Sequence, residues 1–324
     1  MKAGQFSNNA TMILNRINLA KKIFLATHEN PDGDAVSSLC ALSELMHDLD
    51  KDFYLFCVDT PPLRYEFLPN FDRISNVLPA NGLEDFDVVI LADCATVARS
   101  GLSKQLELWQ KKNLISFDHH PPTENLVDID LRDDQSASTT EVIYDFFKIN
   151  KIKINKNIAD CILTGILTDT GNFIYPSTSG RTIEISSEML SRGAKMPQIL
   201  DKTWRNKSID AMKLWGAALL NLQINPKYNI AYSVITPEEL KNISENDAEL
   251  DGVAGFLSNL YGVKGVIFLR DEGKGMIMGN LRTARSDVDV SKLARVLGGG
   301  GHVKASGFRI EGSLKKLNGT WKII

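Results

Sequence analysis

The sequence predicts an α/β protein with an N-terminal doubly wound, mostly parallel sheet and a smaller C-terminal mixed α/β domain. Three observations support this prediction. In the first half, short runs that are apolar on both faces alternate with helical segments, which is typical of a parallel sheet covered by helices on both sides. The chain has 324 residues, more than one hydrophobic core usually spans. Hydrophobic residues make up 43% and charged residues 24%, an ordinary globular composition.

Four short apolar runs predict the strands of the first domain. Three of them are separated from the next by stretches with helical spacing or by loops, as expected for strands joined by crossovers. A long helical region follows, broken at Gly171 and Pro176. The predicted strands are 23–26, 53–58, 87–92 and 114–117, and the predicted helices are 8–21, 35–49 and most of 138–204.

The C-terminal part has a different pattern. A helix is predicted at 210–222, a strand at 228–235, and a hairpin from the runs 263–270 and 276–281 on either side of the turn residues 271–275. Another helix is predicted at 288–297, ended by the four glycines 298–301. We therefore place a first domain at 1–190, a helical linker at 191–210 and a second domain at 211–324.

Charge, cysteines and hydropathy narrow the class of protein. Residues 1–200 hold 19 basic and 27 acidic residues, net -8, while 201–324 hold 18 and 13, net +5, which together give the formal charge of -3. An acidic half suits cation binding and a basic half suits an anionic substrate, although solvated surface charge gives the same split. Long apolar segments and Cys-x-x-Cys pairs are absent from the sequence. We expect a cytoplasmic protein, neither exported nor membrane-spanning, with four reduced core thiols.

Polar residues follow the predicted strands at the points where each strand ends. His28, Asp32 and Asp34 come after the first strand, Asp93 follows 88–92, and the tripeptide 118–120 follows 114–117. Asp169 lies at the end of an apolar helix. In open α/β sheets ligands bind beyond the carboxyl ends of the strands, so these side chains should share one rim. A single aspartate such as Asp93 could instead be a helix N-cap.

Carboxylates that cluster in this way repel one another unless a cation lies between them, so the pattern predicts bound metal. Oxygen and imidazole donors without thiolate favour Mn²⁺ or Mg²⁺, with Fe²⁺ or Co²⁺ as alternatives, over a structural zinc site. The number of donors is enough for two divalent cations that share a carboxylate. That arrangement activates a water for attack on phosphorus.

The glycines near the C-terminus suggest a phosphate site. Backbone without Cβ atoms can approach a phosphate and present N–H groups to it, and His302 could add a donor. A helix C-cap is the alternative, but a cap requires only one glycine. Lys304 is a nearby cation for the same ligand, with a solvated surface role as its alternative.

Taken together, these motifs resemble the DHH phosphoesterase superfamily, whose defining tripeptide stands here as Asp118-His119-His120. The segments 28–35, Asp93 and 168–171 occur in the family's order. Residues 298–307, Gly-Gly-Gly-Gly-His-Val-Lys-Ala-Ser-Gly, are similar to the companion substrate-binding domain of the DHHA1 type. The resemblance covers essentially the whole chain, and its motifs are specific in combination.

The resemblance implies a role for each of these positions. His28 and Asp32 would hold one metal, the other would be held by Asp34, His119 and Asp169, and Asp93 would bridge the two. His120 would lie beside the substrate phosphate, and Asp118 would fix the His119 ring or serve as a turn residue. The implied catalytic residues are His120, Asp93 and Asp34; the implied substrate-binding residues are Arg282, Gly299, Gly300, Gly301, His302 and Lys304.

The resemblance also implies an activity. A compact chain of this kind resembles bacterial enzymes that degrade short oligoribonucleotides (nanoRNA) and remove the 3'-phosphate of 3'-phosphoadenosine-5'-phosphate (pAp), with the active site in an interdomain cleft. The alternative is a phosphodiesterase of cyclic di-AMP or linear pApA in nucleotide signalling. A third possibility, a non-catalytic scaffold, would not need the complete ligand set. A homodimer is possible because relatives form dimers.

Overall fold

The computed structural model describes residues 3–109, 113–122, 127–243, 252–273, 275–317 and 320–324. The chain divides into two compact units, one up to Asn206 and one from Lys207 onward. This division falls inside the segment 191–210 that the sequence predicts as a linker. Lys274, in the turn of the predicted hairpin, lies outside the described residues.

The sheet of the first unit is built from parallel strands only. Its strand order is β3-β2-β1-β4-β5-β6, so the chain starts in the middle, moves to one edge and then returns to build the other half. All five pairings among these strands are parallel, which confirms the predicted fold class. The strands are β1 (Lys22–Ala26), β2 (Asp52–Phe56), β3 (Ile74–Ser75), β4 (Val88–Ala92), β5 (Leu114–Asp118) and β6 (Ile129–Arg132).

Both faces of this sheet are buried. In β1, Ile23 and Leu25 belong to a core under the helices on one side, while Phe24 and Ala26 belong to an aromatic-rich core on the other. The period of two in a strand produces this division. The helices of the unit are α1 (Ala3–Leu19), α2 (Gly33–Asp48), α3 (Ser103–Leu108), α4 (Thr139–Ile149), α5 (Lys156–Asp169), α6 (Gly180–Ser191) and α7 (Met196–Thr203).

The second unit has a mixed sheet in the order β11-β12-β10-β9-β8-β7 and a separate hairpin of β13 with β14. Strands β8 and β9 are parallel, and β9 and β10 form the antiparallel pair that the sequence predicts. The elements are α8 (Ile209–Leu220), β7 (Gln223–Asn225), β8 (Ile230–Ile235), α9 (Pro237–Ile243), α10 (Val253–Leu257), β9 (Gly265–Asp271), β10 (Met276–Arg282), α11 (Val290–Val296), β11 (Gly300–Gly301), β12 (Ala305–Glu311), β13 (Leu314–Leu317) and β14 (Thr320–Ile323).

Two further expectations concern the chain as a whole. Within the described ranges, no helix combines the length and the apolar character needed to cross a bilayer. The four cysteines are free and buried, as predicted, and burial raises the pKa of the Cys40 thiol above its ordinary value. They are therefore core residues.

Candidate metal centre

The site begins at the point where the chain changes direction in the first sheet. Strands β1 and β4 are neighbours, but the elements that follow them lie on opposite faces: α2 packs in one core and Leu102, beside α3, packs in the other. A crevice at the carboxyl ends of two such strands is the usual ligand site of an open α/β sheet. His28 follows β1 and Asp93 follows β4, so both lie at this switch point.

The loop after β1 leads directly into the first turn of α2. Asp32 is the N-cap, and its Oδ1 accepts hydrogen bonds from the N–H groups of Asp34 and Ala35, both at 3.1 Å. Asp32 is exposed, whereas His28 and Asp34 are buried. Capping thus fixes the loop geometry and places three of the predicted ligand residues within one short segment.

Asp93 lies at the centre of the imidazoles. Its Oδ2 is 3.6 Å from Nε2 of His28, and its Oδ1 is 3.7 Å from Nε2 of His119 and 3.6 Å from Nδ1 of His120. The residue has a φ of 62°, in the left-handed region, and its N–H donates to the Phe117 carbonyl at 2.9 Å. Although burial opposes ionisation, the hydrogen bond from His28 and the other two imidazoles lower the pKa of Asp93 below its ordinary value.

The tripeptide at the end of β5 fits the turn role that the sequence offers for Asp118. Its Oδ1 accepts hydrogen bonds from the His120 N–H at 2.9 Å and from Nδ1 of His120 at 2.8 Å. Arg132 lies 3.3 Å from the same carboxylate. Although burial opposes it, the hydrogen bond from His120 lowers the pKa of Asp118. The His119 ring instead places Nδ1 at 3.3 Å from the Ser136 carbonyl.

A second set of ligand atoms lies around His119. Its Nε2 is 3.4 Å from Oδ2 of Asp169, the last residue of α5. Burial, together with the carboxylates of Asp93 and Asp169, raises the pKa of Asp34 well above its ordinary value. Helix α5 approaches closely here because residue 165 is glycine: a Cβ there would lie 2.5 Å from Oδ1 of Asp34.

The amino end of α4 holds this set in place, and the sequence analysis did not single it out. Asp34 accepts hydrogen bonds from the backbone N–H of Thr139 at 2.6 Å and of Thr140 at 3.1 Å. The Thr139 hydroxyl donates to Oδ1 of Asp93 at 2.7 Å. Ser138 caps the helix and Glu141 follows three residues later, at the capping-box spacing. The sequence predicts a helical region from residue 138, but not its contacts with Asp34 and Asp93.

The predicted ligands thus come together in two groups of three. Within each group, one ligand atom from every residue lies within 4.8 Å of the others. The first ligand group is His28, Asp32 and Asp93; the second ligand group is Asp34, His119 and Asp169. Imidazole nitrogens and carboxylate oxygens at this spacing fit Mn²⁺ or Mg²⁺. Burial and then the neighbouring carboxylates raise the pKa of Asp34, and a bound cation would oppose both effects.

In the second unit, the fold itself requires three of the four glycines. Gly298 has a φ of 77° and Gly301 a φ of 128°. A Cβ on Gly299 would lie 2.1 Å from the Gly307 carbonyl oxygen. Gly300 alone has no such constraint, because a Cβ there meets nothing within 4 Å. The argument that four glycines exceed the needs of a cap therefore applies only to Gly300.

The predicted substrate-binding side chains of this unit lie near the start of β12, where Arg282 pairs with Ala305. Arg282 ends β10, and its Nη1 donates to the Leu281 carbonyl at 3.0 Å. The Lys304 ammonium donates to the backbone carbonyls of Arg285 and Val288, so it joins two loop segments. His302 closes a tight turn, in which its N–H donates to the Ala305 carbonyl at 2.8 Å. Lys304 thus has a structural role, and its role in substrate binding stays a prediction.

Each of the two units contains a match to a known protein-family model. Residues 22–166 match the family model described as the DHH family, N-terminal domain, and residues 227–320 match the DHHA1 domain. A Bacillus subtilis protein named bifunctional oligoribonuclease and PAP phosphatase is 27% identical over 304 residues, 93% of each chain. A Thermus thermophilus protein of the same name is 27% identical over 90% of this chain and 84% of its own length.

A solved structure is also similar over nearly the whole chain. It is described as an exopolyphosphatase-related protein from Bacteroides fragilis, with 26% sequence identity and a TM-score of 0.85. The match covers 94% of this chain and 92% of that one. The fold is therefore shared over nearly the whole of both chains.

Proposed function

The chain belongs to the DHH family of phosphoesterases, and on that premise we propose that it is a divalent-metal-dependent hydrolase of short oligoribonucleotides that also removes the 3'-phosphate of pAp. The names of the Bacillus and Thermus relatives support both activities, because the similarity to them extends over nine-tenths or more of this chain. A phosphoester is the substrate class that a two-cation site of carboxylates and imidazoles suits best.

One observation carries this proposal: Asp93 lies within 3.7 Å of imidazole nitrogens from both ligand groups, His28 in the first and His119 in the second. A carboxylate shared in this way can bind two cations at once. We assign His28 and Asp32 to one cation, Asp34, His119 and Asp169 to the other, and Asp93 to both. Mn²⁺ is the proposed metal, with Mg²⁺, Co²⁺ and Fe²⁺ as alternatives.

When bound, the two cations would neutralise charge on the phosphate and lower the pKa of a water for attack on phosphorus. The chain's own residues orient the reaction. Nδ1 of His120 lies 2.8 Å from Asp118, whose carboxylate also lies 3.3 Å from Arg132. The Nδ1–H of His120 donates a hydrogen bond to Asp118, which fixes the orientation of the ring. Nε2 can then exchange a proton with the substrate phosphate.

The second unit would bind the rest of the nucleotide through Arg282, His302, Lys304 and the glycines 299–301. Gly300 offers the sharpest test of this assignment, because alanine there meets no neighbouring atom and the fold should tolerate it. We expect Gly300→Ala to unfold at the same temperature as the wild type and to raise KM. Gly299→Ala serves as the contrast, since its Cβ would collide with backbone and lower the unfolding temperature.

The alternative substrates are linear pApA and cyclic di-AMP, which would give the protein a role in nucleotide signalling. A homodimer and a cytoplasmic location also stay predictions.

The substrate class is tested by initial rates on an RNA dinucleotide, pAp, pApA, cyclic di-AMP and pyrophosphate, with Mn²⁺ or with EDTA. The proposal expects the dinucleotide and pAp to be cleaved fastest and EDTA to stop the reaction. A tenfold preference for cyclic di-AMP or pApA, about 1.4 kcal/mol, would favour the signalling role instead.

A further inference from the structure

We propose that Arg99 is a substrate-binding residue, whose guanidinium binds the scissile phosphate of the substrate beside the first ligand group. This inference rests on the proposed phosphoesterase function. Neither the family motifs nor the spacing of acidic residues pointed to this arginine. It lies in a short 3₁₀ turn, 98–100, that follows β4 and the shared residue Asp93.

The backbone of this turn is fixed against the loop that carries His28. The Arg99 carbonyl accepts a hydrogen bond from the Glu29 N–H at 2.8 Å. Ser100 is fully buried, and its hydroxyl donates to the Val97 carbonyl at 2.7 Å. Arg99 is half-buried, and the fixed backbone of the turn holds its side chain close to the metal centre.

The Arg99 guanidinium lies beside Nδ1 of His28. When His28 binds a cation through Nε2, Nδ1 carries a proton and cannot accept a hydrogen bond from Arg99. Nη2 of Arg99 is 3.0 Å from Nδ1 of His28, and that nitrogen is also 2.6 Å from the Glu29 carbonyl oxygen. A lone pair would repel a carbonyl oxygen at this distance, so Nδ1 carries the proton and donates it. Nε2, which faces Asp93, then has the lone pair that a cation requires.

The charge balance points to an anion as the partner of this arginine. In the described part of the chain Arg99 forms no ion pair, and the contact of its guanidinium is with the His28 ring. A guanidinium repels the cations that the first ligand group is proposed to hold. A phosphate oxygen bound between the cation and the guanidinium removes that repulsion, and the planar fork of arginine matches phosphate geometry.

The experiment compares Arg99→Gln and Arg99→Lys with the wild type, with Lys104→Gln as the matched control. Lys104 is exposed on the following helix, so that variant removes one positive charge from the same region without affecting the turn. Three quantities are measured: the affinity for Mn²⁺ alone by calorimetry, the affinity of the Mn²⁺-loaded protein for inorganic phosphate and AMP, and kcat/KM for an RNA dinucleotide and for pAp.

For Arg99→Gln we expect phosphate and AMP affinity to fall roughly 10- to 100-fold, the usual effect of one charged hydrogen bond. We expect kcat/KM to fall on the order of 10²-fold or more for both substrates. Mn²⁺ affinity should stay equal or increase, because a neighbouring positive charge has been removed. Arg99→Lys should recover part of both losses, and Lys104→Gln should match the wild type.

Two results would overturn the inference. One is unchanged phosphate affinity and unchanged kcat/KM in Arg99→Gln. The other is weaker Mn²⁺ binding with normal phosphate affinity once the metal is restored, which would make Arg99 a residue that only positions His28. If the wild type hydrolyses none of the phosphoesters, the proposed function fails, but the phosphate-binding measurement still tests Arg99 separately.

Discussion

The first and second ligand groups meet at the same sheet edge, but the chain holds them differently. In the first group Asp32 is exposed, and its carboxylate is occupied in capping α2. In the second group Asp34 is 1% exposed and accepts two backbone hydrogen bonds from the amino end of α4. The first group is exposed at Asp32, and the second is half-buried at Asp169 and held by neighbouring helices.

This difference indicates how the two cations should bind. The second group has two carboxylates of its own, Asp34 buried and Asp169 half-buried, and a cation is attracted more strongly there than at an exposed edge. The first group has one exposed carboxylate and shares Asp93. We therefore expect the second group to bind its cation more tightly, and the first group to bind the cation that exchanges with solvent and meets the substrate.

The largest effect is expected from the residue that the two groups share. Asp93→Ala should reduce kcat on the order of 10⁴-fold or more, as loss of a central catalytic group usually does, because it removes a ligand from both cations. Initial rates on an RNA dinucleotide measure this. Asp85→Ala, which removes an exposed carboxylate from the segment just before β4, is the control. Wild-type turnover in Asp93→Ala would show that the two groups work independently.

The next effect separates the groups from each other. Asp169→Asn should remove the tight step of Mn²⁺ binding, and Asp32→Asn should remove the weak step, because each residue belongs to only one group. Calorimetric titration of both variants measures the steps. If Asp32→Asn removed the tight step instead, the order of affinities deduced from burial would be reversed.

A smaller effect is expected at Thr139, which hydrogen-bonds to Asp34 and Asp93 but is not one of the assigned metal ligands. Thr139→Val keeps the shape of the side chain but removes the hydroxyl that donates to Asp93 at 2.7 Å. Metal affinity or activity should fall roughly 10- to 100-fold, as is usual for partners of metal ligands. Thr139→Ser keeps the hydroxyl and should restore both. Equal losses in the valine and serine variants would mean that packing, not the hydrogen bond, is responsible.

The smallest effect concerns pH. Burial raises the pKa of Asp169 to about 7, although the nearby His119 lowers it. Burial lowers the pKa of His119, but Asp169 and the other carboxylates outweigh this and raise it to about 9. Both must lose their protons to bind a cation, so Mn²⁺ affinity of the second group should rise from about pH 6 to pH 9 with proton release. Calorimetry in buffers of different ionisation enthalpy measures the protons. A pH-independent tight step would contradict the assignment.

The sequence predicted the parts of the fold and site that depend on local pattern. Strands β1, β4 and β5 are short and mostly apolar, and His28, Asp93 and His119 follow them within two residues. Because parallel strands end at one edge, the meeting of these residues followed from chain order alone. Strands β3 and β11 have only two residues each, too few for any periodicity, and they were missed.

Other features of the site could not be predicted from sequence patterns, because they depend on contacts between distant parts of the chain. The link between Thr139 and Asp34 joins residues 105 positions apart, and a threonine at a helix start has no distinctive pattern. The sequence left two roles open for Asp118, at the His119 ring or in a turn, and its hydrogen bonds to the His120 N–H and ring fit the turn. The packing that requires Gly299 and Gly301 depends on β12, which periodicity did not reveal.

The central claim is that two cations share Asp93. The most direct measurement is an electron paramagnetic resonance titration of the wild type and of Asp93→Ala with Mn²⁺. The account predicts a spin-coupled Mn²⁺ pair in the wild type once two ions are bound per chain, and no coupled signal in the variant. A wild type that binds a single ion, or two ions without coupling, would contradict it.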